Sequence, residues 1–266
     1  MTELVFENVD VAYGGGRAAH DVVRNVSLTV PSGRIMGLVG ESGSGKSTLA
    51  RAAVGLHKPR SGRILLDGTN VVNARGGNAA LRRRIQMVFQ DANSSLNPRM
   101  SIGAAIEEAI LVQSGTARRD RVRRGDEVRR MLELVELDPR RSDDLPMQLS
   151  GGQRQRVAIA RALAAKPQVL LADEITSALD VSVQGTVLNL LMQAHRQLGL
   201  TVLFISHNLA IVRQLCDEVA VMRAGEIVEA GIASKVIDNP KHPYTRALIG
   251  AVPRMGERLL GEGVRP

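Results

Sequence analysis

Gly40-Glu41-Ser42-Gly43-Ser44-Gly45-Lys46-Ser47 decides the fold. The string fits G-x-x-x-x-G-K-[S/T], in which glycines let the backbone curl until its N–H groups converge on phosphate oxygens. The residues from Thr48 to Val54 read as a helix, whose N-terminus adds the positive end of its dipole at the same point. The Lys46 ammonium is placed to reach β- and γ-phosphates, and the Ser47 hydroxyl to ligate Mg²⁺. Just upstream, Ile35-Met36-Gly37-Leu38-Val39 reads as a buried strand. The local order is therefore strand, phosphate loop, helix.

Working outward, strands precede the loop. Leu4-Val5-Phe6, Val9-Asp10-Val11 and Val26-Ser27-Leu28-Thr29-Val30 have alternating or β-branched character, and Ile64-Leu65-Leu66 and Ile85 to Phe89 are two more strands. From about Ser101 to Ala165 the period changes to helical, with Val128, Met131, Leu132 and Val135 on one face. Strands and helices then alternate: Val169 to Ala172, Val183 to Gln197, Thr201 to Ile205. This predicts a parallel sheet with crossover helices. Ala224-Gly225 predicts a hairpin between Val219–Met222 and Ile227–Ala230, and a helix is expected near Tyr244 to Gly250. The whole reads as a helical unit inserted into an α/β core.

Bulk composition narrows the function classes. With 266 residues, 44% of them hydrophobic and only 2% aromatic, the core must be large and aliphatic. One cysteine, Cys216, excludes an internal disulfide and any multi-cysteine metal cluster within the chain, and suits a reducing compartment. No apolar run approaches the roughly 18 residues of a membrane-spanning helix, and the first residues, with Glu3 and Glu7, lack the basic-then-apolar pattern of a signal peptide, so none is expected. The expectation is a soluble protein that reaches a membrane only through a partner. The net charge of +8 is mostly arginine. Its densest run, Arg118 to Arg130, is broken by Asp120, Asp126 and Glu127, which reads as a solvated helical face rather than a nucleic-acid surface.

A phosphate loop needs a metal-holding acid at the end of a neighbouring strand. Val169-Leu170-Leu171-Ala172-Asp173-Glu174 supplies it: Asp173 emerges where a buried strand ends, the edge at which open α/β sheets bind ligands. Asp173 is expected to hold Mg²⁺, directly or through water, and Glu174 to act as general base on an attacking water. Leu149-Ser150-Gly151-Gly152-Gln153 is a second glycine-centred turn opening a helix, and chemically a second anion site.

With that pentapeptide in view, the sequence resembles the ATP-binding subunits of ABC transporters, whose signature motif it matches letter for letter, over Leu4 to about Ala233. The resemblance implies an α/β fold: a P-loop NTPase (RecA-like) core with an N-terminal antiparallel β subdomain and an inserted α-helical subdomain. The nucleotide-binding domain would span 1–235, with the insert at about 91–165, followed by a C-terminal extension at 236–266. It implies ATP and Mg²⁺ as ligands, held by Gly40, Glu41, Ser42, Gly43, Ser44, Gly45, Lys46, Ser47 and Thr48, with Tyr13 stacking on adenine. Ser47, Gln90 and Asp173 would surround the metal, and Glu174, His207 and Gln90 would carry hydrolysis. It further implies head-to-tail pairing with a second ATPase subunit, a copy or a paralogue, to whose nucleotide Ser150, Gly151, Gly152, Gln153 and Asp180 would reach in trans. The chain departs from the family pattern at Ile175, Asn208 and Ala92, where Pro, Asp and Pro are usual. Loss of the proline ring at 175 is expected to loosen the loop after Glu174.

Two segments narrow the subfamily. Ile85 to Asp91 with Ser94 to Met100, and Asn239-Pro240-Lys241-His242-Pro243-Tyr244-Thr245-Arg246-Ala247-Leu248, resemble dipeptide/oligopeptide importer ATPases. The expected function is ATP hydrolysis that energises peptide import. The protein would sit peripherally on the cytoplasmic face of the inner membrane, with two permease subunits and, indirectly, an extracytoplasmic solute-binding protein. Nickel or glutathione import by the same subfamily is the alternative. A soluble ABC-type ATPase acting on DNA or ribosomes, or a P-loop kinase, is the reading from another class. No nucleic-acid partner is expected, nor, without the cysteine-rich extension of longer members, an iron–sulfur cluster.

Overall fold

The structure is a computed structural model that describes residues 2–14, 20–72, 79–114 and 121–251. The start of the arginine-rich run, Arg118 to Asp120, and the last part of the expected C-terminal extension, 252–266, lie outside the described residues.

Two sheets form the frame. β1 (Leu4–Tyr13) pairs antiparallel with β2 (His20–Val30) and with β4 (Ser61–Leu66), which also carries the two-residue β5 (Thr69–Asn70). The short runs read in the first thirty residues are thus two long strands. Bulges interrupt their register, and Asn8 and Asn25 take positive φ there. Asparagine tolerates that region better than most residues, which is how one strand bends without ending.

The second sheet has the order β10-β9-β3-β8-β7-β6: β3 (Ile35–Val39), β6 (Ile85–Val88), β7 (Val169–Asp173), β8 (Thr201–Ile205), β9 (Glu218–Arg223) and β10 (Glu226–Ile232). All its pairings are parallel except β9 with β10, the hairpin turning at Ala224-Gly225. β3, β7 and β8 are buried at every position. That is the behaviour of strands covered on both faces, and it explains their unbroken apolar sequence.

The faces divide by alternation. Leu170, Ala172, Val202 and Phe204 face a core shared with the helices, whereas Val169, Leu171, Leu203 and Ile205 face the antiparallel sheet. Leu49, Ala50, Ala52 and Ala53 of α1 (Lys46–Ala53) belong to this second core, so α1 is packed between the two sheets. The short α2 (Ala79–Arg83) leads into β6 and α3 (Ala92–Ser95) follows it. α4 (Ile102–Ser114), α5 (Arg121–Leu134) and α6 (Gly151–Ala164) pack on one another between β6 and β7. Val128, Met131, Leu132 and Val135 are buried, as their spacing predicts. α7 (Val181–Leu198), α8 (Leu209–Leu215) and α9 (Ala233–Asp238) complete that layer, and α10 (Pro243–Gly250) closes the described chain.

Candidate active site

The site forms where β3, β7 and β8 end together. Register sets Leu38 and Asp173 on either side of Ile205, and the Ser206 N–H donates to Leu38 O at 3.3 Å. The Gly40–Ser47 loop therefore emerges beside Asp173 and Glu174, at the carboxyl edge where strand order diverges on the two sides of β3.

Gly40 has φ of 152°, and a Cβ there would lie 2.1 Å from Met222 O. Only glycine permits both the conformation and the approach of β9. The β9–β10 turn supports the loop from the same side, with the Gly225 N–H donating to Ser44 O at 3.0 Å. The loop curls around the Lys46 ammonium, whose Nζ donates to Gly40 O (2.9 Å), Glu41 O (2.7 Å) and Ser44 Oγ (3.2 Å). Lys46 is buried. Burial holds its pKa below the usual lysine value, while the nearby Glu174, Asp173 and Glu41 carboxylates oppose the shift. It is a cation held by carbonyl oxygens that an incoming anion can replace.

Ser47 Oγ donates to Asp173 Oδ1 at 2.7 Å. Asp173 is 1% exposed. Burial raises its pKa, against the Ser47 hydrogen bond and the charges of Arg51 and Lys46. A hydroxyl oxygen and a buried carboxylate meeting beside a phosphate cradle are the donor set that a hard divalent cation selects, so these residues fit Mg²⁺.

Glu174 has φ of 47°, which turns its carboxylate out of the strand line, and its N–H donates to Ile205 O at 3.0 Å. His207 Nδ1 lies 3.6 Å from Glu174 Oε2. Glu174 O accepts from Ser177 Oγ (2.9 Å), and Ser177 Oγ accepts from Gln90 Nε2 (3.2 Å). The expected catalytic residues Glu174, His207 and Gln90 thus form one connected group. Ile175, which stands where proline is usual, is 1% exposed and belongs to the main core, so packing restrains the segment that lacks the ring. Asn208 caps α8, its side chain accepting from the N–H groups of Ala210 and Ile211.

Ser150 caps α6, and Gly151, Gly152 and Gln153 form its first turn. Ser150 and Gln153 form a capping box, Gln153 N–H to Ser150 Oγ at 3.3 Å and Ser150 N–H to Gln153 Oε1 at 2.9 Å. A Cβ on Gly152 would lie 2.2 Å from Val183 Cγ1, so this glycine also lets α6 and α7 touch. Asp180 is exposed at the start of α7, its carbonyl accepting from Val183 and Gln184. Tyr13 is 40% exposed; its hydroxyl is 3.1 Å from Thr48 Oγ1 and 2.9 Å from His57 Nε2.

Residues 23–177 match the family model described as "ABC transporter". The chain belongs to that family. It is an ABC-type ATPase, and ATP is its nucleotide. A second model, "Oligopeptide/dipeptide transporter, C-terminal region", matches residues 228–265 of this ATPase. A putative peptide import ATP-binding protein of Brucella abortus is 49% identical over 243 residues, covering 90% of this chain and 72% of that one. A di/tripeptide transport ATP-binding protein of Pseudomonas aeruginosa is 46% identical over 239 residues, covering 90% and 73%. An ATP-binding cassette solved as a dimer in a post-hydrolysis state with ADP and Pi superposes with a TM-score of 0.76. It is 31% identical and covers 86% of this chain and 98% of its own. A Clostridium perfringens protein, part of an ABC transporter complex, gives 0.77 at 28% identity, covering 89% and 90%.

Sequence reasoning left two contacts of this ABC ATPase unread. His57 packs edge-on against Tyr13, ring centroids 4.9 Å apart, beside the helix of the phosphate loop. Tyr244, from the C-terminal segment, accepts the Glu41 N–H at 3.0 Å. Neither has a local sequence signal beyond its residue type; Tyr244 is simply one of only two tyrosines.

Proposed function

We propose that this ABC ATPase energises the import of di- or oligopeptides by ATP-driven, head-to-tail dimerisation with a second ATPase subunit, at the cytoplasmic face of a membrane that holds its permease partners. The observation that carries the reading is the connected group Lys46–Ser47–Asp173–Glu174–His207 at one sheet edge, in a chain whose residues 228–265 match a peptide-transporter C-terminal region. Among the described residues no helix is long and apolar enough to cross a membrane, so in this reading contact with the bilayer runs through the permease.

In this proposal residues 1–235 are the ATPase unit, with 91–165 inserted, and 236–266 the extension. Gly40 to Thr48 hold the triphosphate, and Tyr13 offers its ring to adenine, a stack worth roughly 1–3 kcal/mol in nucleic-acid systems. Lys46 exchanges its carbonyl partners for phosphate oxygens. Ser47, Asp173 and Gln90 would hold Mg²⁺, which when bound would supply neutralisation of phosphate charge. Glu174 accepts the proton of the water that attacks the γ-phosphorus as the β–γ bridging bond breaks, and His207 orients that carboxylate. Ser150, Gly151, Gly152, Gln153 and Asp180, exposed or half-buried apart from the packed Gly152, complete the partner's pocket. ATP closes the dimer because the γ-phosphate recruits donors from both subunits, and hydrolysis removes that differential interaction.

The decisive experiment is Glu174→Gln. ATP binding is expected to persist while turnover falls at least about 100-fold, within the range general-base catalysis supplies, and the ATP-bound protein is expected to run as a closed dimer, alone or with its paralogue. Normal turnover would refute the base assignment, and a monomer at saturating ATP with every candidate partner would refute the dimer. Reconstitution with the permease then separates solutes: ATPase stimulation by peptide-loaded binding protein supports this reading, and stimulation only by nickel- or glutathione-loaded protein replaces it.

A further inference from the structure

The C-terminal segment is built to deliver one hydroxyl. Glu229 on β10 accepts the backbone N–H groups of Lys241 (2.8 Å) and His242 (3.0 Å), which pins the chain as it enters α10. His242 caps that helix, its Nδ1 accepting from the Tyr244 N–H at 3.1 Å, and Pro243 occupies the first helical position. Tyr244 is then buried, its ring in the main core with the Arg223 guanidinium carbon 5.0 Å from the ring centroid. Packing needs only the ring. The hydroxyl goes further and accepts the Glu41 N–H at 3.0 Å, across 203 residues of sequence.

That N–H and the Gly40 carbonyl are the two ends of one planar peptide unit. The carbonyl end accepts Lys46 Nζ at 2.9 Å. The chain of bonds runs from the Tyr244 oxygen through the Gly40–Glu41 peptide to the Lys46 ammonium, and hydrogen bonds in series polarise one another. Gly40 has no side chain to fix its torsions, so the orientation of this peptide is set by what bonds to its two ends.

We propose that Tyr244 is a positioning residue of the ATPase: its hydroxyl fixes the Gly40–Glu41 peptide so that the phosphate loop is pre-organised for ATP, and the C-terminal segment thereby sets nucleotide affinity. The proposal rests on the reading of Gly40–Ser47 as the triphosphate cradle. A pre-organised loop loses less freedom on binding, so the effect falls on affinity rather than on the chemical step.

Tyr244→Phe keeps the ring and removes the hydroxyl. The expected result is a KM for ATP raised about 3–10-fold, the range for losing one hydrogen bond, with kcat changed less than about twofold, as for lost uniform binding. Hydrogen exchange should quicken at residues 40–44 and stay unchanged across 243–250. Wild-type KM and loop exchange would overturn the proposal. So would a lowered melting temperature with loss of α10 protection and unaltered KM, which is what a merely structural tyrosine gives. If Tyr244→Phe fails to fold, Glu229→Gln loosens the same delivery from its far end: a smaller rise in KM supports the proposal and an unchanged KM overturns it. Lys46→Ala separates the two readings. If it binds ATP normally, the cradle assignment itself fails. If it loses ATP while Tyr244→Phe behaves as wild type, only the role of Tyr244 fails.

Discussion

Side chains that are absent matter as much here as those present. Gly40 faces Met222 O at a distance no Cβ tolerates, with φ of 152°. Gly40→Ala is therefore expected to lose about 2–4 kcal/mol, combining backbone strain with overpacking, and to abolish ATP binding; thermal unfolding and nucleotide titration check both. The pattern G-x-x-x-x-G-K-[S/T] made this glycine legible, but not what it touches, because Met222 is on a strand 182 positions later. The reverse holds at Gly152. The sequence read it as part of an anion site, and its contact with Val183 shows a packing reason for the same residue. At Ile175 the sequence predicted a loosened loop, reasoning from a lost proline ring. Burial of the isoleucine supplies a restraint that local backbone logic does not see.

Elements were read well where their period was strong. β3 and β8 fall on the expected residues because each is a continuous apolar run with turn residues at its ends. β1 and β2 were under-read, since bulges at Asn8 and Asn25 break the alternation without ending the strand. The junction of β10 with α10 carries a pH-dependent prediction. Burial works to raise the Glu229 pKa, but the Thr245 hydroxyl, the Lys241 and His242 backbone N–H groups and the charge of His242 together outweigh it and leave the pKa below the ordinary 4.5. A depressed carboxylate pKa contributes stability that is present above the unfolded-state value and lost as pH falls through the folded one. Protection of 241–250 against hydrogen exchange is thus expected to be constant above about pH 5 and to decline below 4.5. In Glu229→Gln it should be weaker at neutral pH and flat across that window. Because Glu229 is partly exposed, the effect on global stability stays below about 1 kcal/mol. An acid profile identical in variant and wild type would remove Glu229 from this role.

At the scale of the molecule, the helices α4 and α6 meet β6 around a cavity of about 330 Å³, lined by Arg83, Gln86, Phe89, Glu108, Ala109 and Arg161. Its lining includes Phe89, the chain neighbour of Gln90, whose amide reaches the Glu174 segment through Ser177. This suits a groove that passes the nucleotide state to a permease. Ala109→Trp is expected to fill it, leaving ATPase activity of the isolated subunit within about twofold, as for a substitution remote from the site, while abolishing permease-stimulated turnover in proteoliposomes; retained stimulation would move the docking surface elsewhere. The sequence by itself determined the phosphate loop, the acids at the end of β7, the signature turn and the alternation that makes a parallel sheet, because each is a local pattern whose chemistry depends on a few neighbouring residues. Only the tertiary structure decided that Tyr244 meets Glu41, that Met222 bounds the loop and that His57 stands against Tyr13. Those pairings are made by strand order and sheet register, which bring distant residues together through packing that no short stretch of sequence encodes.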